Sequence, residues 1–398
     1  MHSSAMEPML PPSGGHFEGR ALTLHREASA LAASTHPITR AALAELLRIV
    51  NSYYSNLIEG VRTSPAEIEA GMREDYSHDP GRAGIQRLAA AHVRVEVQIG
   101  EELTQNPNTA VTSPGFLASL HHGLYLDVPE SERTVRSTKG REVLVRPGEL
   151  RNDEVTVGAH LAPPPEVLPA LLARFDEAYR PEGLSEIMQV VAFAASHHRL
   201  AWIHPFLDGN GRVTRLMTVA YARRIGLDAG GLWSIARGFA RFQKEYYAAL
   251  AVADEPRRSD VDGRGALSLI GLEAWCDFVV RVSIDQIEYM RSLVRPETLA
   301  ERLRGYAAYR SAAEPDVAGG GSWRSEAGEL LAALVTRGAM PRAEALRFMP
   351  GKERTARNAL SSLLRDGILK SNSSRADVRL AFPERAVAIL FPDLVTLP

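Results

Sequence analysis

The chain is poor in several things that would each have named a class of protein. It has one cysteine, Cys276, in 398 residues, which leaves no internal disulfide framework and fits a reducing compartment. Its formal net charge is −2, so no general positive excess marks it as a nucleic-acid coat. Nowhere do about 18 apolar residues follow one another, as a membrane span requires. Residues 1–15 lack a basic stretch followed by an apolar core, the pattern of a secretory leader. No internal repeat is visible. These absences lead to the expectation of a soluble, cytoplasmic protein without membrane contact. With 45% hydrophobic and 24% charged residues, the chain reads as folded, in two or three domains.

What is present is concentrated at residues 204–215, His-Pro-Phe-Leu-Asp-Gly-Asn-Gly-Arg-Val-Thr-Arg. Gly209 and Gly211 let backbone N–H groups converge on an anion without side chains in the way. After them Val213, Leu216, Met217, Ala220 and Tyr221 recur at helical spacing, so the Gly-Asn-Gly turn lies at a helix N-terminus, where unpaired N–H groups and the macrodipole favour negative charge. Arg212 and Arg215, three apart on the first turn, can hold phosphate oxygens on one side. Asp208 suits Mg²⁺, which takes one or two protein carboxylates and completes its octahedron with water and phosphate oxygens. His204 suits a general base, its ordinary pKa of roughly 6.5 lying near neutrality. Taken singly, each of these residues is as well explained by helix capping or surface charge; it is their co-occurrence that points to a phosphate site.

The stretch resembles the signature of the Fic domain family, H-x-F-x-[DE]-G-N-G-R-x-x-R, with His204, Phe206, Asp208, Gly209, Asn210, Gly211, Arg212 and Arg215 at the fixed positions. The resemblance implies a mainly α fold: a Fic-type helical domain with a small β-hairpin flap. It implies a protein AMP transferase with ATP as co-substrate and Mg²⁺ as cofactor. In that reading His204 takes the proton from a Ser, Thr or Tyr hydroxyl of a protein target or of the chain itself. Asp208 holds the metal, Gly209, Asn210, Gly211 and Arg212 hold the transferred and leaving phosphates, and Arg215 holds the γ-phosphate.

A second stretch, Ser55-Asn56-Leu57-Ile58-Glu59-Gly60, ends a helical pattern over 39–58. Ser55 and Glu59 share a face, and alone they would be surface decoration. Beside the first motif they resemble the inhibitory motif [ST]-x-x-x-E-[GN] of Fic proteins whose blocking helix precedes the catalytic domain. The resemblance implies that Glu59 pairs with Arg215 and takes the place of the γ-phosphate. It leaves open removal of AMP from a modified protein, or transfer of another phosphate-containing group, on the same site.

Alternating residues at 141–146 and 154–158 predict a hairpin, with Pro147-Gly148 and Asn152-Asp153 as turn residues. By the same resemblance Val155, Thr156 and Val157 would register a target's main chain by β-augmentation. The family's Asn-Arg pair ahead of Tyr-Tyr is replaced here by Phe242-Gln243 ahead of Tyr246-Tyr247. Phe242, Tyr246 and Tyr247 suit either core packing or stacking on a base. His121-His122 and His197-His198 lack the spacing of a zinc site and read as structural or solvent-facing.

Helices are expected over 84–105, 114–126, 166–179, 184–202, 233–250 and 267–293, and residues 1–20, rich in proline and glycine, as a loose or extended arm. The glycine run at 314–322 marks a boundary. Three domains follow: an N-terminal helical region with the inhibitory motif (1–110), the catalytic domain (111–312) and a C-terminal domain (323–398). In the last, three helices and a two-stranded wing resemble a winged helix-turn-helix, with 352–365 in the recognition position. Residues 342–380 carry nine Lys/Arg against four Asp/Glu, which suits phosphate contacts. Such modules also bind proteins or dimerise, so DNA, a second copy of the chain and other proteins all stand open as partners. An ATP-sensing DNA-binding regulator is the alternative from a different class.

Overall fold

The computed structural model describes residues 3–12, 17–136, 140–158, 160–313, 323–349 and 351–395. The boundary expected at 314–322 lies outside them. Contacts divide the chain into two compact units: Met1–Arg26, Asn51–Asp228 and Ser234–Gln286 form the first, and Glu27–Val50, Ala229–Trp233 and Ile287–Pro398 the second.

The fold is mostly helical. The helices to the end of the first unit are α1 (Phe17–Ala33), α2 (Pro37–Ile58), α3 (Pro65–Met72), α4 (Pro80–Gln105), α5 (Pro114–Tyr125), α6 (Leu168–Tyr179), α7 (Glu186–Ile203), α8 (Asn210–Arg224), α9 (Ile235–Arg241), α10 (Gln243–Asp254) and α11 (Leu269–Val294). One device starts several of them. Ser64, Asp79 and Ser113 each accept a hydrogen bond from a first-turn N–H, and a proline follows each cap, where its missing N–H costs nothing. That cap begins α4 at Pro80, four residues before the apolar periodicity does.

Helix α7 is the centre of the first unit. Every residue from Val190 to Leu200 is buried, and the helix packs on α6 and α8, while α8 also meets α4 and α5. Small residues bring the helices close: the fully buried Trp275 of α11 donates its indole N–H to the Ala194 carbonyl at 2.7 Å. The helix expected over 233–250 is two helices, because Phe242 leaves the helical conformation. The break lets Phe239 and Tyr246 stack at 4.6 Å.

The β signal pairs differently from the expected hairpin. Strands β1 (Thr134–Arg136) and β2 (Glu142–Leu144) form one antiparallel pair, and β3 (Thr156–Val157) and β4 (His160–Leu161) another. The 141–146 segment therefore does not pair with 154–158. The stretch between them does turn at Pro147-Gly148, where the Glu149 N–H donates to the Arg146 carbonyl at 3.2 Å, but beyond it the buried Arg151 side chain is pinned to backbone carbonyls elsewhere.

The N-terminal segment is not loose over residues 3–12. Met6 and Met9 are buried, the Tyr179 hydroxyl donates to the Met9 carbonyl at 2.6 Å, and buried Arg199 donates to the Pro8 carbonyl at 2.8 Å. The prolines that signalled a loop also free a carbonyl row for side chains to meet.

The second unit contains α12 (Pro296–Ala313), α13 (Ala327–Arg337), α14 (Arg342–Ala345), α15 (Glu353–Arg365) and α16 (Glu384–Leu390). Between them β5 (Ala339–Met340), β6 (Leu369–Lys370) and β7 (Val378–Leu380) form an antiparallel sheet in the order β5-β7-β6. The third strand, two residues long, has no alternation to betray it. Lys352, Arg354, Arg357 and Arg365 stand exposed on or just before α15, while Arg342 is drawn to the Ser373 and Ala376 carbonyls. Among the described residues no helix is long and apolar enough to cross a membrane.

The packing of the N-terminal segment predicts that Met9→Ala destabilises the protein by about 2–5 kcal/mol, as other buried methionine truncations do. Urea unfolding followed by tryptophan fluorescence checks this; an unchanged midpoint would mean that the segment contributes nothing.

Candidate active site

The loop from α7 to α8 is shaped by three local features. His204 ends α7 in the left-handed conformation (φ 50°, ψ 61°), which an L residue adopts only when its surroundings hold it there. Asn210 closes the loop: its Oδ1 accepts the Phe206 N–H at 2.9 Å and its Nδ2 donates to the Phe206 carbonyl at 2.8 Å. Gly209 caps α8 at φ 76°, and a Cβ there would meet the Tyr125 ring at 2.8 Å. Only glycine satisfies both the dihedral and the space.

Phe206 anchors the loop, fully buried and stacked on His121 at 4.1 Å. The His121 Nδ1 accepts the Gly148 N–H at 2.8 Å, which makes this histidine structural. His197, equally buried, bonds Thr218 and Tyr246. Its neighbour His198 meets Asp254 at 3.0 Å.

The two arginines of α8 point at the end of α2. Arg215, 2% exposed, donates from Nε to Ser55 Oγ at 2.8 Å, and from Nη2 to the Ser55 carbonyl at 3.0 Å and Glu59 Oε1 at 2.6 Å. Arg212 donates to Asn56 Oδ1 at 3.2 Å. The Glu59 carboxylate lies directly over the first turn of α8: a Cβ built on Gly211 would stand 2.1 Å from Glu59 Oε1. The anion at this helix N-terminus is thus supplied by the chain. Burial pushes the Glu59 carboxyl up, but the Arg215 and Arg212 guanidiniums outweigh it and hold its pKa below 4.5.

These groups border a cleft of about 790 Å³ whose walls include Glu59, His204, Asn210, Gly211 and Arg215, with Val157 and Leu161 from the β3–β4 hairpin. Ala201 and Trp202 of α7 and Tyr247, Leu250 and Ala251 of α10 make its apolar side. Tyr247 is half exposed and its hydroxyl donates to the Ile58 carbonyl at 2.8 Å, whereas Tyr246 is buried among aromatic rings. Core packing therefore claims Tyr246, and Tyr247 alone offers an open face. Burial lowers the His204 pKa to about 4, so its imidazole is neutral at neutral pH and has a lone pair to offer. Its Nδ1 faces the Ala201 carbonyl at 3.4 Å, a contact that favours the proton on Nδ1 and leaves Nε2 as the acceptor.

Residues 112–222 match the Fic/DOC family. The matched segment holds the His204–Arg215 loop and α5, and it begins after Ser55 and Glu59, which lie outside it. Curated relatives are the proteins named protein adenylyltransferase Fic of Drosophila mojavensis, 35% identical over 109 residues, and of Drosophila erecta, 34% identical over the same length. The matched length is 27% of this chain and 22% of theirs, so the chain spans about a fifth of the curated relatives it matches. Among solved structures, a Fic family protein from Desulfovibrio desulfuricans G20 aligns over 94% of this chain and 98% of its own, with TM-score 0.51 and 16% identity. A Fic domain containing signaling protein from Bacteroides thetaiotaomicron aligns over 68% and 95%, with TM-score 0.51 and 18% identity. At such identities the likeness is one of fold.

The Fic/DOC signature residues are brought together with Ser55 and Glu59, and three further residues join them. Tyr125 donates to Asp208 Oδ2 at 2.5 Å, Asn56 receives Arg212, and Arg151 donates to the His204 carbonyl. Asn56 could have been found as the neighbour of Ser55; Tyr125 and Arg151 carry no spacing signal.

The lowered Glu59 pKa has a definite sign. A carboxylate with its folded pKa below 4.5 contributes stability that is fully present above the unfolded value and is lost as pH falls through the folded one. The difference in thermal midpoint between wild type and Glu59→Gln should therefore be constant from pH 7 to 5 and close below pH 4.5. Closure already between pH 7 and 5 would show that the arginines do not hold the carboxylate.

Proposed function

We propose that the chain is a protein AMP transferase, moving AMP from ATP to a Ser, Thr or Tyr hydroxyl, and that Glu59 keeps it inactive at rest. The observation that carries this reading is the Glu59 carboxylate over Gly211, bonded to Arg215, in a cleft that also presents His204. The names of the curated relatives support the reaction class.

His204 accepts the hydroxyl proton at Nε2 as the hydroxyl oxygen bonds to the α-phosphorus. The bond from that phosphorus to the bridging oxygen breaks, and pyrophosphate leaves with the electron pair. First-turn N–H groups of α8 and the Arg212 guanidinium stabilise the charge that builds on the phosphate oxygens, the main source of catalysis in such transfers. Arg215, freed from Glu59, takes the γ-phosphate.

Asp208 fits a Mg²⁺ that arrives on the nucleotide. Tyr125 occupies one carboxylate oxygen and leaves the other without a hydrogen-bond partner among the described residues, and no cluster of three acidic, histidine or cysteine ligands exists among them. One carboxylate with phosphate oxygens and water is the usual Mg²⁺ set, and the bound ion would neutralise phosphate charge. Val155, Thr156 and Val157 offer the target a docking edge; Val157 is 46% exposed.

Inhibition is inexpensive to reverse. The pair joins a buried arginine to a carboxylate whose side chain is a third exposed. Its worth lies between the ~1 kcal/mol of a surface pair and the ~3–5 kcal/mol of a buried one, and a phosphate re-pairs the arginine.

Two outcomes test the reading. Glu59→Gly should raise self-modification by labelled ATP, with a 5′-AMP adduct found by mass spectrometry; unchanged or lower labelling would remove the inhibitory role. In that background His204→Ala should lose about 10²–10⁴-fold in rate, and retention of most activity would remove the base. Release of AMP from a modified protein, with no transfer by Glu59→Gly, would turn the assignment to the reverse reaction.

A further inference from the structure

We propose that Arg151 is a positioning residue, whose buried guanidinium ties the segment leading into the β3–β4 hairpin to the backbone of His204, so that docking edge and proton acceptor keep one geometry. The inference rests on the reading of His204 as base and of the hairpin as docking edge.

Arg151 is 3% exposed, and among the described residues its side chain donates to main-chain carbonyls. Nε donates to His204 at 2.7 Å, Nη1 to Asp153 at 3.0 Å, and Nη2 to Pro163 at 2.5 Å and Ile203 at 3.4 Å. Its own N–H donates to the Pro205 carbonyl at 2.9 Å. The carbonyls of Ile203 and His204 lie where α7 ends and have no helical N–H to meet. Asp153 and Pro163 flank the hairpin on either side. One planar fork of five donors thus fastens both ends of the hairpin segment to the left-handed residue that carries the imidazole. Lysine, with three donors on one point, keeps the charge but cannot span four carbonyls.

A merely structural cap would affect folding alone. A positioning role also changes the imidazole, which Arg151 and His160 from the hairpin segment and Glu59 from α2 face. The positive Arg151 acts to lower the His204 pKa, so its removal should raise it.

The test compares Arg151→Met and Arg151→Lys in the Glu59→Gly background. The His204 pKa is read by NMR of the ring protons, assigned by their loss in His204→Ala. Arg151→Met should raise that pKa above its value with Arg151 in place, though burial, the larger cause, still holds it below 6.5, while Arg151→Lys leaves it unchanged. In self-modification with labelled ATP, Arg151→Met should lower kcat about 10²-fold, the scale of an ångström's misplacement, with the KM for ATP within about twofold. Arg151→Lys should still lose about tenfold. Full kcat in either variant, or a loss carried wholly by KM, would overturn the proposal. If Arg151→Met does not fold, the low pKa and reduced kcat of Arg151→Lys decide. If Glu59→Gly shows no transfer, the functional reading fails separately. Amide exchange at Val155, Thr156 and Val157 then judges Arg151: it should quicken in both variants, and unchanged protection would sink the idea.

Discussion

Arg215 carries a charge that it cannot give up, in a place that water hardly reaches. A buried guanidinium must be met by oxygen on every donor it can turn toward, since leaving one unpaired is costly. Ser55 supplies two of those oxygens and Glu59 the third. The rest of the site follows from this demand: α8 needs the end of α2 against it, and the first turn of α8 finds its anion in Glu59. Asn56 extends the same contact to Arg212, so both arginines of the motif are held from one helix.

The loop that precedes α8 is built with equal economy. Asn210 spends both ends of its amide on Phe206, which fixes the loop and makes its side chain a brace. The phosphate contacts expected of this residue then fall to its backbone. Tyr125 serves two purposes, lying against Gly209 and bonding Asp208, so the carboxylate is held in one orientation.

Much of this was legible in the residues themselves. Eight spaced positions at 204–215 announced the loop, because they lie close together in sequence and leave a local pattern. Helical periodicity placed α2, α7 and α8. What could not be read has a common physical cause: its partners are backbone atoms brought near by the fold. Arg151 meets four carbonyls, which no spacing rule encodes. The pairing of β1 with β2 was equally hidden, since local alternation shows that a strand exists without saying which neighbour it takes. Residues 3–12 looked like a free arm because Pro8, Pro11 and Pro12 are turn formers, yet Met6 and Met9 found core volume. The break at Phe242 was hidden because the apolar rhythm runs on through it.

Tyr247 joins the open cleft to the end of α2, just before Glu59, through its hydroxyl on the Ile58 carbonyl. Binding energies coupled through such a contact must be reciprocal. If Glu59 blocks a nucleotide as proposed, whatever loosens the last turn of α2 would tighten nucleotide binding, and nucleotide binding would return the same factor. On the proposed reading, the bond between one tyrosine and one carbonyl would let a surface that never touches the phosphates act on the pair of Glu59 and Arg215.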